Sequence, residues 1–349
     1  MDTQNFKRKR SLAATGTVQE LPSDQEHQDD KQWRVRSPLQ EALKRFIADR
    51  RALASMLVLL VMLLIALLGP FIYQRVGISI QSDLAGRIGP ERYHVYYHEE
   101  LSRQDQTPSL VYWLGTDSVG RDILARLMQG LLISFTVAIM VEIVDVGLGL
   151  CIGLLAGYYG GWIDQLLARF TDIMFAFPSL LFALLLVGVF GPNANDLFDK
   201  VPLFGDPGNS RLLIVSLALA FTAWPLMARY VRGQTLQLKE RQFIEAARTV
   251  GTSDWRIITR HIIPNLFSLV FIASTLNIAG TIIGEAGLSL LGVGVQDPGS
   301  SLGLMIADAL EVTESHPWEI FVPTCVLTII VLAISFIGDG LRDAFDPHR

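Results

Sequence analysis

The stretch Phe243-Ile-Glu-Ala-Ala-Arg-Thr-Val-Gly-Thr-Ser-Asp-Trp-Arg-Ile-Ile-Thr-Arg-His-Ile-Ile-Pro-Asn265 decides how the rest of the chain is read. Phe243, Ala246, Ala247 and Val250 fall at i, i+3, i+4 and i+7, one face of a helix. Gly251 follows where a helix end calls for a left-handed backbone. Thr252, Ser253 and Asp254 can cap a second helix, in which Trp255, Ile258 and Ile262 share a face and which Pro264 ends. The expected unit is a short helix–turn–helix. Ala246 and Ala247 let a partner approach the backbone closely, and Glu245 offers it a fixed charge. An ordinary connecting loop or an interfacial amphipathic hairpin is the plainer alternative, but neither requires so long and specific a spacing.

This unit sits between apolar runs at residues 212–228 and 266–293, and four more runs lie at 52–73, 131–157, 173–190 and 320–337. The run 52–73, at ~1.5 Å per residue, reaches ~33 Å and crosses a ~30 Å hydrocarbon core. Composition agrees: charged residues are 18% of the 349, below the ~25% of soluble domains. The fold class expected is all-α, a polytopic membrane protein with six transmembrane helices, in contact with the lipid bilayer. A net charge of −5 argues against a nucleic-acid partner. Cys151 and Cys325 lie inside apolar runs and imply no disulfide framework.

Basic residues set the orientation. Lys44, Arg45, Arg50 and Arg51 precede the first run. Arg229, Arg232, Lys239, Arg241, Arg248, Arg256 and Arg260 follow the fourth, whereas residues 296–317 contain no Lys or Arg. The positive-inside rule therefore places both termini and the helix–turn–helix in the cytoplasm. Arg75, Arg87, Arg92, Arg103, Arg121 and Arg126 fall on the outer side and count against the rule, but acids dilute them. The organisation expected is a polar, disordered arm over 1–37, an N-terminal region with the first span and an outer segment over 38–129, a core over 130–341 and a cytoplasmic tail over 342–349.

Polar residues inside the runs are the candidate translocation path. Glu142 and Asp145 lie three apart on one face, and a carboxylate at bilayer depth costs ~2.5–3.5 kcal/mol on insertion scales. Such a pair marks a water-lined face or is neutralised by a polar neighbour. Asn277 and Glu285, eight apart, lie roughly on one face and either line a path or bond to adjacent spans. Gly149, Gly153 and Gly157 repeat every four residues and permit close helix packing, within the chain or against a partner. Asp117 or Asp122 can cap a short helix reaching Gly130. His94, His98 and His316 show no ligand spacing, so no metal site and no cofactor are expected. No Gly-Lys dipeptide occurs, so a Walker A phosphate loop is absent and ATP hydrolysis belongs to other chains.

Glu245, Ala246, Ala247, Gly251, Ile258, His261, Pro264 and Asn265 resemble the "EAA" loop of ABC-importer permease subunits. Leu114-Gly-Thr-Asp-Ser-Val-Gly-Arg-Asp122, Gly157-Tyr-Tyr-Gly-Gly-Trp-Ile-Asp164, Leu288-Ser-Leu-Leu-Gly-Val-Gly-Val-Gln-Asp-Pro298 and Gly338-Asp-Gly-Leu-Arg-Asp-Ala-Phe-Asp-Pro347 are similar to segments of the C-type permeases of dipeptide, oligopeptide and nickel importers. Two departures are Ala168, where those permeases often have Met, and Ser301-Leu302-Gly303 in place of Ser-Trp-Gly. The resemblance implies a type I ABC importer permease core in a bacterial or archaeal plasma membrane. It also implies a B-type permease subunit, two ABC ATPase subunits and an extracytoplasmic substrate-binding protein as partners, with the loop docking on an ATPase. It favours di- or oligopeptides as substrate over nickel, oligosaccharides or peptide antibiotics, and a non-catalytic role. Two other classes stay open: an ion-coupled secondary transporter with Glu142 and Asp145 as relay, and a membrane-embedded structural or receptor subunit. Neither needs an ATPase-docking loop.

Overall fold

The structure, a computed structural model, describes residues 38–80, 101–110, 112–194, 207–297 and 299–346. The expected arm at 1–37 lies outside the described residues. Among these residues the elements are helices, and the only bridge pairing joins Thr116 and Asp122. In chain order they are α1 (Pro38–Ala48), α2 (Arg50–Ile80), α3 (Ile123–Tyr159), α4 (Gly161–Ala176), α5 (Ser179–Phe190), α6 (Pro207–Lys239), α7 (Gln242–Thr249), α8 (Asp254–Ile257), α9 (Ile263–Leu290), α10 (Leu302–Ala309) and α11 (Pro317–Phe345). Five helical stretches are long and apolar enough to cross a membrane: Arg50–Tyr73, Ile123–Tyr159, Ser210–Lys239, Asp254–Leu290 and Pro317–Phe345. A sixth arises when α4 and α5 are taken as one broken span, bent by 82°.

That bend falls inside the apolar run at residues 173–190. Pro178 lacks a donor and pushes Phe177 into extended backbone, φ −79° and ψ 134°, so the chain turns there. The second span also begins earlier than its apolar run. Asp122 caps α3 by accepting from the amides of Leu124 and Ala125 at 2.9 and 3.2 Å. The helix then passes Gly130 without a break, so the 129/130 boundary falls inside it. The boundary at 341/342 likewise falls inside α11.

The tightest helix pair is α3 against α6. A Cβ on Gly149 would stand 2.5 Å from Met227 Cγ, one on Gly153 2.6 Å from the Ala228 carbonyl oxygen, and one on Gly157 2.7 Å from Thr235 Cβ. The glycine stripe therefore serves contact within the chain. In lipid, where apolar burial between helices drives little, such close approach is what holds spans together. Gly153→Ala is expected to lower the stability of the detergent-extracted protein by ~1–3 kcal/mol, because Ala228 and Val231 cannot move aside without parting the helices. Thermal unfolding beside Gly147→Ala, whose Cβ meets nothing within 4 Å, checks this; equal midpoints would sink it.

Around that pair, Val137 and Val141 of α3 pack with Ala183 and Val187 of α5 and Val215 of α6. Leu127, Leu131 and Ala138 of α3 pack with Ala66 of α2, Ile282 of α9, Met305 of α10 and Ile330 of α11. α1 turns Ala42 and Phe46, one turn apart, onto Ala52 and Ala344, and Arg45 Nη1 donates to the Asp346 carbonyl at 2.8 Å. The bundle has two ends. One carries the α7–α8 turn; the other carries residues 112–122 and α10.

Candidate functional site

The α7–α8 unit is positioned by aliphatic anchors. Ile244, Ile257 and Ile262 are fully buried and pack with Leu238 of α6, Leu266 of α9 and Tyr158 of α3. α7 ends in a Schellman motif: the Gly251 amide donates to the Arg248 carbonyl at 2.9 Å and the Thr252 amide to Ala247 at 3.0 Å. Gly251 takes φ 83°, and a Cβ there would meet open space. The glycine is required for its backbone conformation, not for room. Asp254 accepts from the Tyr158 hydroxyl at 2.6 Å, and the Arg248 guanidinium lies 5.4 Å from the Tyr158 ring centre. The turn is thus tied to the end of α3.

With Ile244 holding the inner side, α7 turns Phe243, Glu245, Ala246 and Val250 outward, and Ala247 is half-buried. Val250 is 85% exposed. Of the other residues read from the loop, Ile258 is buried, His261 half-buried, and Pro264 and Asn265 exposed. Asn265 Nδ2 donates to the His261 carbonyl at 2.6 Å.

Three expectations for this stretch are corrected. Ser253 stands at the N-cap of α8, but no side chain caps that end; Asp254 binds Tyr158 instead. Trp255 points outward at 75% exposure and Ile257 takes its place inside. Pro264 does not end the helix. A π turn over Ile258–Ile262, in which the Ile263 amide donates to the Ile258 carbonyl, widens the backbone just before it. The proline then sits in the first turn of α9, where its missing N–H costs nothing and the span runs on.

Within the bundle, Asn277 of α9 meets both acids of α3. Its Nδ2 donates to Asp145 Oδ2 at 2.9 Å and to Glu142 Oε2 at 3.2 Å. Asp145 is 1% exposed, and Glu142 Oε1 and Asp145 Oδ1 have no hydrogen-bond partner. Asn277 also borders a cleft of about 460 Å³ beside the α4–α5 break, lined by Phe177, Leu180, Thr222 and Thr281 among others. Glu285 is not part of this group. It is fully buried and accepts from Ser289 one turn on at 2.8 Å and from Ser134 of α3 at 3.2 Å, so it ties α9 to α3. Asn277 and Glu285 therefore serve different surroundings despite their shared face.

At the opposite end of the bundle lies an ion network that sequence reading missed. Asp117 Oδ2 pairs with Arg121 Nε at 2.8 Å and Arg126 Nη1 at 2.5 Å. Arg121 also reaches Asp297 at 2.5 Å, and both arginines reach Asp308, at 3.1 and 2.9 Å. The guanidinium of Arg121 is held above its ordinary range by these carboxylates, against burial, which lowers it. Burial lifts the neighbouring Asp122 carboxyl to about 6, although the Tyr73 hydroxyl and two amides pull it down. The only sequence signal was three Asp and two Arg in two separated segments.

A family described as "Binding-protein-dependent transport system inner membrane component" matches residues 149–349. The chain belongs to that family. It is the permease subunit of an ATP-driven, binding-protein-dependent importer. This permease also matches the "N-terminal TM domain of oligopeptide transport permease C" at residues 37–86. It is 32% identical over 305 residues to the oligopeptide transport system permease protein OppC of Mycobacterium tuberculosis, covering 87% of this chain and 93% of that one. To the glutathione transport system permease protein GsiD of Pectobacterium atrosepticum it is 34% identical, over 90% and 92% of the two chains. To the dipeptide transport system permease protein DppC of Bacillus subtilis it is 32% identical, over 88% and 85%. A solved structure of the MetNI methionine ABC transporter in inward-facing conformations matches with TM-score 0.48 at 18% identity, over 64% of this chain and 96% of that one. The permease is a multi-pass inner-membrane protein working with ATPase and substrate-binding partners.

Proposed function

We propose that this permease imports di- or oligopeptides, and that α7 transmits ATPase motion to the spans. The observation that carries the coupling role is the outward face of α7, apolar and acidic together, on a helix pinned from behind by Ile244. The substrate class rests on the names of the relatives, which include oligopeptide, dipeptide and glutathione systems. The assembly joins this chain to a B-type permease, two ABC ATPases and an extracytoplasmic binding protein. Both termini and α7 lie in the cytoplasm, and residues 130–341 supply the permease core. No covalent step falls to this chain. ATPase closure favours one arrangement of the spans by contacts absent in the other, since only differential contact shifts such an equilibrium.

Uptake of labelled tripeptides by cells carrying the whole importer tests this reading. Uptake should require ATP, survive collapse of ion gradients, and be competed by peptides but not by Ni²⁺ or oligosaccharides. Uptake that follows an ion gradient without ATP would instead support a relay through Glu142 and Asp145.

We infer that Glu142, Asp145 and Asn277 lie on the translocation path; in support, Asn277 borders the cleft at the α4–α5 break and bonds both acids. Glu142→Leu removes a carboxyl group and one partner of Asn277. It is expected to lower peptide uptake at least roughly tenfold, the equivalent of about 1.4 kcal/mol of differential binding. Uptake and peptide-stimulated ATP hydrolysis both at the level of the unaltered protein would overturn the placement.

A further inference from the structure

Three side chains far apart in sequence converge beside the buried ion network. Asp105 lies just after the turn Leu101–Arg103, at φ 50°, a left-handed conformation that Asp adopts more readily than most residues. His316 is the N-cap residue of α11 and Glu319 lies in its first turn. One ligating atom from each lies within 4.8 Å of the other two, and His316 Nδ1 stands 4.0 Å from Asp105 Oδ2. Glu319 is only 4% exposed, and its Oε1, like Asp105 Oδ1, is shut off from solvent with no hydrogen-bond partner. Buried carboxyl oxygens without a partner are strongly disfavoured, so this arrangement calls for a cation or a proton between the two carboxyl groups.

The nearest cation, Arg126, acts on Glu319 but is already shared between Asp117 and Asp308. The Asp105 amide donates to the Asp117 carbonyl at 3.1 Å, which sets the three residues against the network. There Asp117, Asp297 and Asp308 outnumber Arg121 and Arg126, and Asp105 and Glu319 add two more acids. The local field is net negative and attracts a cation.

We propose that Asp105, His316 and Glu319 form a binding site for a divalent transition ion of the zinc class, which clips the 101–122 segment to the start of α11. One imidazole and two carboxylates suit such an ion better than Mg²⁺ or Ca²⁺, which favour all-oxygen shells. Bond lengths of ~2.0–2.2 Å require the three ligating atoms to close from their present separations. Asp105 and His316 have side chains 27% exposed, and closure requires them to turn inward on the buried Glu319, with the His316 ring shifting against Trp318, 5.0 Å away between ring centres. Binding at Nδ1 displaces the Ser315 hydroxyl, now 3.1 Å away. A fourth position remains for water. The clip joins two connecting segments at the end of the bundle remote from α7, where their spacing bears on opening of the spans.

The test uses the whole importer, purified without a histidine tag and stripped with chelator, in equilibrium dialysis against Zn²⁺ at neutral pH. Retention of about one ion per permease is expected, with His316→Ala and Glu319→Gln each weakening it by ~10–100-fold. Co²⁺ in place of Zn²⁺ should give visible absorption bands that vanish in the same variants. Zn²⁺ should raise the thermal midpoint of the unaltered importer and leave that of His316→Ala where it was. Because His316 is partly exposed, that variant tests the site even if Glu319→Gln fails to fold. No retained ion in the unaltered importer, or retention unchanged in His316→Ala, overturns the proposal; the first result would assign the missing charge to a proton shared by the two carboxylates.

Discussion

Glu245→Lys is expected to abolish ATP-driven uptake while the permease still inserts and folds. Glu245 is exposed in the first turn of α7, and among the described residues it enters no ion pair. The fold therefore has little to lose from the change, beyond a few tenths of a kcal/mol at the helix N-terminus. At a docked interface the consequence is far larger. Reversing the charge sets like charges together and costs several kcal/mol, enough to detach the ATPase. Gly251→Pro attacks the same unit through its backbone. Proline locks φ near −65° where Gly251 takes 83°, and it removes the amide that donates to Arg248. The Schellman end unravels and α7 loses its direction, although Ile244 still holds it to the bundle. Co-purification of the ATPases and peptide uptake are the measurements, with Gly233→Ala, whose Cβ meets open space, as the control. Normal co-purification and uptake in both variants would end the assignment of α7 as the coupling element.

The sequence makes some of this legible and hides the rest for identifiable reasons. Long apolar runs announce spans because nothing soluble needs them. Gly251 was readable because only glycine takes its backbone conformation without strain. Trp255 and Ile257 were exchanged because a helix of four residues before a π turn does not follow a period of 3.6 for long enough to fix a face. Pro264 misled for a related reason: a π turn is invisible to residue type, yet it turns a helix breaker into a first-turn residue. Glu142, Asp145 and Asn277 stood out singly as polar groups in apolar helices. Their mutual bonds join residues 132 and 135 apart, and no local pattern encodes that. Arg121 and Arg126 were counted as loose outer charges that strained the positive-inside rule. The structure pairs these two with Asp117 and Asp308, residues up to 187 positions away, which no local pattern encodes.

Removing Asp117 should therefore cost more stability than removing any exposed charge of the protein. Its carboxylate is the hub: Oδ2 meets both Arg121 and Arg126, while Oδ1 accepts the Arg121 amide at 2.8 Å and the Val119 amide at 3.1 Å. Asp117 and Arg121 are 5% exposed and Arg126 2%. In Asp117→Ala two buried guanidinia keep only Asp308 in common and face each other across the vacancy. Breaking a buried pair by deleting one partner costs ~3–5 kcal/mol, and here two pairs share the deleted group. The α3 start, the α10 segment and the loop between α9 and α10 all depend on this cluster, so their packing should loosen together. Asp297→Ala is the comparison, because its side chain is 60% exposed and its pair with Arg121 is screened by solvent; it should cost less than ~1 kcal/mol. Thermal unfolding of the extracted importer, with protease susceptibility of the 112–122 segment, measures both. Equal midpoints for the two variants would show that the network is dispensable and that apolar packing alone holds this end of the bundle. A loss confined to Asp117→Ala, recovered in part by Asp117→Asn, would show that the hub's hydrogen bonds and its charge both contribute.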